Sequence, residues 1–179
     1  MNIVLIGGRG VGKSKISRLL SCKLKRPVFP LDELIVYEEN GKSIPEIVED
    51  HDWHYFRDVE YKVAEKVSKL DDAIIDCGGG IIIDLDENGN EYFSERKINA
   101  LKKTGYIIWL TDDLEYLAKK IQDDPNRPDL SKTKSFMEIM ERREPFYRKA
   151  ADYIYSKKNI RKKRAVKEII KILQNNNVI

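Results

Sequence analysis

Five short runs of apolar, β-branched or aromatic residues punctuate the chain, at positions 2–6, 28–29, 73–77, 106–110 and 153–155. Within them the apolar positions do not alternate with polar ones. Ile3-Val4-Leu5-Ile6, Ala73-Ile74-Ile75 and Ile107-Ile108-Trp109-Leu110 are continuous, the pattern of strands buried on both faces, as in a parallel sheet. Between the runs, apolar residues recur at helical spacing: Phe56, Val59, Val63, Val67 and Leu70, then Leu114, Leu117 and Ile121. Alternating β and α units predict an α/β fold, a three-layer αβα sandwich with a central five-stranded parallel sheet. Trp109 is expected in the core, and Trp53, outside any strand, nearer the surface. The polar stretch 84–96 interrupts the rhythm with a turn at Asn88-Gly89, and no catalytic use for it is evident.

A chain of 179 residues fits one domain with an ordinary core, so residues 1–179 are read as a single unit. The net charge of +3 is small. Its excess gathers near the end, where Arg161, Lys162, Lys163, Arg164, Lys167 and Lys171 intersperse with Val166, Ile169, Ile170 and Leu173. That is an amphipathic helix with a solvated basic face rather than a nucleic-acid patch. Cys22 and Cys77 are too few and too far apart for a disulfide framework or a zinc site, which points to a reducing cytoplasm. No apolar run has the length of a membrane span, and a cytoplasmic monomer with neither membrane nor nucleic-acid partners is expected.

The chemistry begins at Gly7-Gly8-Arg9-Gly10-Val11-Gly12-Lys13-Ser14. It fits the phosphate-binding pattern G-x-x-x-x-G-K-[ST], with an apolar strand before it and a helical pattern after it. Glycines let successive backbone N–H groups turn toward a phosphate chain, and the helix adds the positive end of its dipole. Gly8, Arg9, Gly10, Val11, Gly12, Lys13 and Ser14 are therefore expected to bind a nucleoside triphosphate. Lys13 would reach the β- and γ-phosphates and Ser14 would coordinate Mg²⁺.

Many P-loop proteins share that motif. No N-K-x-D guanine-reading motif is present, and the chain leaves little room for partner-sensing domains. What remains is rich in arginine: Arg57, Arg127, Arg142, Arg143 and Arg148. Guanidinium groups hold anionic acceptors and neutralise a moving phosphoryl group, so a kinase for a small anionic molecule leads.

Over nearly its whole length the sequence resembles the shikimate kinases. Val28-Phe29-Pro30-Leu31-Asp32-Glu33-Leu34-Ile35 is similar to that family's D-x-D segment, with Asp32 in the second acidic place. Phe56-Arg57-Asp58-Val59-Glu60 resembles its F-R-x-x-E, Gly78-Gly79-Gly80 its triple glycine, Arg127-Pro128 the R-P of its lid, and Arg143-Glu144-Pro145-Phe146-Tyr147 its R-x-P-x-Y. The resemblance implies ATP-dependent phosphorylation of the 3-hydroxyl of shikimate. It implies a substrate-binding insert at about 31–61 and a lid at about 122–134 carrying Arg127 over the phosphates. Arg57 and Arg143 would clamp the substrate carboxylate, beside Gly78, Gly79 and Gly80. Asp32 would orient the nucleophile or act as base, and Lys120 stands where the family packs an arginine on adenine.

The bland alternatives are Asp32 as a helix cap, Arg57–Glu60 as a surface ion pair and the triple glycine as a plain loop; Pro145 is expected to mark a local break beside Arg143. The first aspartate of D-x-D is absent, with Pro30 in its place. Asp76, closing the run Ala73-Ile74-Ile75, is a Walker B-like candidate to hold Mg²⁺ instead. Glu33 is a rival to Asp32 for the substrate. A related kinase for another hydroxy acid such as gluconate, or for a nucleotide, is the alternative enzyme; a catalytically impaired nucleotide-binding module is the alternative from outside enzymes.

Overall fold

The computed structural model describes residues 1–122, 135–158 and 160–179. All five expected strands are present and form one sheet: β1 (Asn2–Ile6), β2 (Val28–Pro30), β3 (Ile74–Asp76), β6 (Gly105–Thr111) and β7 (Tyr153–Ser156). Their order is β2-β3-β1-β6-β7, and every neighbouring pair is parallel. Continuous apolar runs make sense here because successive side chains of a strand point to opposite faces. Val4 and Ile6 of β1 enter one core cluster with Ile75, Ile107 and Trp109. Ile3 and Leu5 enter the other with Ile74, Ile108 and Leu110. Both faces are dry, at about 1.5–3 kcal/mol for each large aliphatic side chain fully buried.

Helices cover both faces. On one side lie α1 (Lys13–Leu24) and α8 (Lys162–Asn175), through Ile16, Leu20, Ala165, Val166, Ile169 and Leu173. On the other lie α2 (Leu31–Glu38), α3 (Ile44–Asp50), α4 (Trp53–Ser68), α5 (Glu95–Lys102) and α7 (Phe136–Ala150); α6 (Leu114–Gln122) follows β6. Starts are set by local chemistry. Ser43 and Glu46 form a capping box on α3, Asp52 caps α4 by accepting from the Tyr55 amide, and Ser135 with Glu138 forms a second box on α7. The helix of residues 53–68 ends before Leu70, which is 37% exposed.

The polar stretch 84–96 folds as an antiparallel hairpin, β4 (Ile83–Leu85) with β5 (Glu91–Phe93). Its turn is built by Asp86, whose carboxylate accepts from the amides of Asn88 and Asn90, with Gly89 at φ 78°. Among the described residues no helix is long and apolar enough to cross a membrane.

Candidate active site

Three neighbouring strands deliver their carboxyl ends to one place, where an open parallel sheet holds its ligands. After β1 the backbone turns through positive φ at Gly7, Gly10 and Gly12, and Gly12 caps α1 with no side-chain bond. The positive end of the α1 dipole thus points at the loop, the arrangement that suits an anion. Lys13 Nζ folds over this loop, donating to the carbonyls of Gly7 (2.8 Å) and Gly8 (3.2 Å). Val11 is the exception in the loop: its side chain is buried in the core, so only its backbone can serve a phosphate.

Asp76 ends β3 and Pro30 ends β2, and the two are register partners. The Asp76 carboxylate accepts hydrogen bonds from Ser14 and Ser17. Burial pushes its pKa up, while Lys13 and the two hydroxyls pull the other way; the net direction is upward. Beyond β3 come Gly78, Gly79 and Gly80, and two of these are glycines for a visible reason. A Cβ on Gly78 would lie 2.5 Å from Asp32 Oδ1, and one on Gly80 would collide with the guanidinium of Arg57. The backbone is bare so that these two side chains can close on it. Asp32 does not cap α2: Pro30 occupies that place and Asp32 sits inside the first turn.

The two arginines expected to hold an acid are both buried, Arg57 5% and Arg143 4% exposed. Arg57 Nη1 donates to Glu60 one helical turn on, at 2.7 Å, and its guanidinium lies over Trp53 and Phe56. This is no surface ion pair. Glu60 is shared with Lys97 Nζ (2.8 Å), which is itself fully buried and lies 3.4 Å from Asp84. Arg96 and Ser94 complete the bonds to Asp84. Burial alone would raise Glu60, yet Arg57 and Lys97 hold its carboxyl below the usual range. Arg57 Nε is buried without a hydrogen-bond partner among the described residues.

Arg143 is gripped by Glu91 of β5, Nε at 3.0 Å and Nη2 at 2.5 Å. The local break expected at Pro145 is not there, since α7 runs on through it to Ala150; the aim of Arg143 comes from the hairpin instead. Tyr147, one turn along α7, stacks on Trp109 and donates its hydroxyl to the Gly79 carbonyl at 2.5 Å. Full burial is the main reason its pKa rises to about 12.

Gly8, Arg9, Gly10, Gly12, Lys13, Ser14, Asp32, Arg57, Asp76, Gly78, Gly79, Gly80 and Arg143 all line one cavity of about 810 Å³. Glu33, the rival of Asp32, lines it too, as do Glu60, Tyr147 and Met140. Trp53 is half-buried, nearer the surface than the buried Trp109, and it forms part of the cavity wall, because its place at the start of α4 faces the triple-glycine loop across Arg57. Lys162 departs from expectation. Read in sequence as part of a solvated basic face, it lines the cavity beside Gly12. Arg127 and the lid from 123 onward lie outside the described residues, as does the side chain of Lys120. His51 stacks on Tyr55 and His54 meets the Asp86 carbonyl, and no metal-binding cluster of His, Cys, Asp and Glu is found among the described residues.

The family model for shikimate kinase matches residues 9–174. A shikimate kinase of Leptospira biflexa is 45% identical over 170 residues, covering 95% of this chain and 94% of its own. That of Leptospira borgpetersenii is 47% identical over 154 residues, covering 85% and 86%. Among solved structures, shikimate kinase from Acinetobacter baumannii in complex with shikimate superposes with a TM-score of 0.85 at 24% identity, covering 99% of this chain and 95% of that one. The Aquifex aeolicus enzyme gives 0.79 at 29% identity, covering 99% of each. A parallel sheet with a phosphate loop is shared by many kinases, but a family match across almost all of the sequence is not: this chain belongs to the shikimate kinase family.

Proposed function

We propose that this chain transfers the γ-phosphoryl group of ATP to the 3-hydroxyl of shikimate, a step of aromatic amino-acid biosynthesis. The observation that carries the reading is that Lys13, Arg57 and Arg143 open onto the same cavity. A triphosphate held by the loop and an organic acid held by the arginines would therefore meet, and positioning supplies most of the catalysis in phosphoryl transfer.

Arg57 and Arg143 would grip the acid, since planar guanidinium groups hold a carboxylate in fixed geometry. Gly79 would offer its backbone N–H, between the close approaches that Gly78 and Gly80 permit. Asp32, seated against Gly78, is favoured over Glu33 because it stands on the side of the triple-glycine loop. It would orient the acceptor hydroxyl and take its proton as that oxygen bonds to phosphorus and the bond to ADP breaks. Lys13 and the loop amides would stabilise the charge on the transferring phosphoryl group. Arg127 would close over the phosphates, and Lys120 would meet the adenine.

A hydroxyl beside a carboxylate is a hard-oxygen pair that suits Mg²⁺, and Ser14 with Asp76 provides it. When bound there, the ion would neutralise charge on the β- and γ-phosphates. Asp76 would thus stand in for the carboxylate that Pro30 replaces. The acid-gripping and phosphate-binding groups complete one cavity within a single chain, which supports a monomer, and two free cysteines suit the reducing cytoplasm.

An ADP-release assay with shikimate, gluconate and nucleoside monophosphates tests the reading. Turnover with shikimate alone is expected. Turnover only with another acceptor, or ATP binding with no turnover, overturns it. Lys13→Ala should abolish activity.

A further inference from the structure

The hairpin β4–β5 reaches behind both arginines of the acid site. Asp84 on β4 supports Lys97, which supports Glu60, which holds Arg57. Glu91 on β5 holds Arg143 directly, and Arg142 as well (2.8 Å). The cavity wall includes Arg143 and, among the described residues, not Glu91. Glu91 takes the Nε and Nη2 corner of the guanidinium, with both bonds on that side, so neither of them uses Nη1.

We infer that Glu91 is a positioning residue for substrate binding: from behind, it locks Arg143 in the one orientation that offers its remaining N–H groups to the carboxylate of the acceptor. The inference rests on the reading of Arg143 as an acid-gripping residue. An arginine on a helix has four rotatable bonds and much rotamer freedom to lose, so an unsupported Arg143 would meet the acid in many geometries. A bidentate carboxylate removes that freedom before substrate arrives. Local charge permits both partners. Arg142 and Arg143 face a single carboxylate in Glu91, so one positive charge is left for the substrate. On the Arg57 side the charges balance, with Arg57, Lys97 and Arg96 against Glu60, Asp84 and Asp58. Glu91 is thus the residue that keeps Arg143 aimed.

The test is steady-state kinetics of Glu91→Ala and Glu91→Gln with shikimate and ATP, alongside Arg143→Ala, Arg143→Lys and the double variant Glu91→Ala/Arg143→Lys. The shikimate KM should rise about tenfold in Glu91→Ala, with kcat and the KM for ATP within about twofold. Glu91→Gln, which keeps one acceptor oxygen and the shape, should rise less and guards against a hairpin that fails to fold. The double variant should be no worse than Arg143→Lys. An unchanged shikimate KM overturns the inference, as does an equal rise in both KM values. A fall in shikimate KM also overturns it, because Glu91 would then be competing with the acid. If Arg143→Ala itself leaves the shikimate KM unchanged, the acid-gripping reading fails; if it raises it while Glu91→Ala does not, only the role of Glu91 fails.

Discussion

Pro30 and Asp76 face each other across the parallel β2–β3 ladder as register partners. The carboxylate missing from the end of one strand is found at the same height on the next, bonded to Ser14. Burying it costs stability, since desolvation is the dominant influence on Asp76 and works against its charge. Asp76→Asn should therefore raise Tm without metal by about 2–4 °C, while increasing the Mg²⁺ concentration needed for half-maximal rate by about tenfold. Thermal melts and a Mg²⁺ titration of the rate check both halves. A variant with unchanged Mg²⁺ demand would remove Asp76 from the metal site.

The same pairing predicts a rescue. Pro30 is on an edge strand, where proline costs no ladder bond it could have made on its open side. Pro30→Asp alone places two carboxylates side by side and should lose stability through like-charge repulsion. Combined with Asp76→Asn it should recover part of the Mg²⁺ affinity. Additive damage in the double variant would show that position 30 does not face the ion.

Gly80→Ala drives a methyl group into the Arg57 guanidinium. Arg57 is tied to Glu60 and packed over Trp53 and Phe56, so it can retreat only by breaking a buried pair. Shikimate affinity should fall at least tenfold, with ATP affinity kept. Isothermal titration with each ligand separates the two.

Lys97→Met should be among the most destabilising single changes. It leaves Glu60 and Asp84 with a buried charge uncompensated, a loss of about 3–5 kcal/mol. Urea unfolding reads it directly, and a loss under about 1 kcal/mol would mean the network relaxes around the gap.

Acid should unfold the protein through the same groups. Burial would raise Glu91 and Asp84, but Arg143 and Arg142 on one, and Arg96 and Lys97 on the other, leave both carboxyls below their ordinary values. A depressed native pKa contributes stability above the unfolded value, near 4, that is lost as pH falls through the native one. Stability should be flat at neutral pH and fall below about pH 4.5. Glu91→Gln should make that fall shallower, as measured by urea midpoints between pH 3 and 7.

The sheet was legible because buried parallel strands are written as unbroken apolar runs, and β1, β3 and β6 are such runs. The phosphate loop was legible because its glycines and Lys13-Ser14 are contiguous. The supports of the acid site were not. Glu91 lies 52 residues from Arg143, and Lys97 lies 37 from Glu60, so neither pairing leaves a local spacing to detect. Residues 84–96 read as a polar stretch because Asp, Glu and Asn dominate them, yet Asp84 is 3% exposed. Polarity alone cannot separate a solvated carboxylate from one buried against a lysine. Lys162 escapes the sequence for the converse reason: its neighbours read as a solvated basic face, and tertiary packing turns it to the cavity.

The chain has two tryptophans, and they watch different halves of the site. Trp53 borders the acceptor's side of the cavity under a guanidinium, whereas Trp109 lies parallel to the Tyr147 ring that anchors the triple-glycine loop. Intrinsic emission thus comes from a half-buried wall and an enclosed stack, and a quencher dissolved in the buffer would dim the first before the second. Nature has left this molecule with its own pair of lamps, one at the door and one behind the wall.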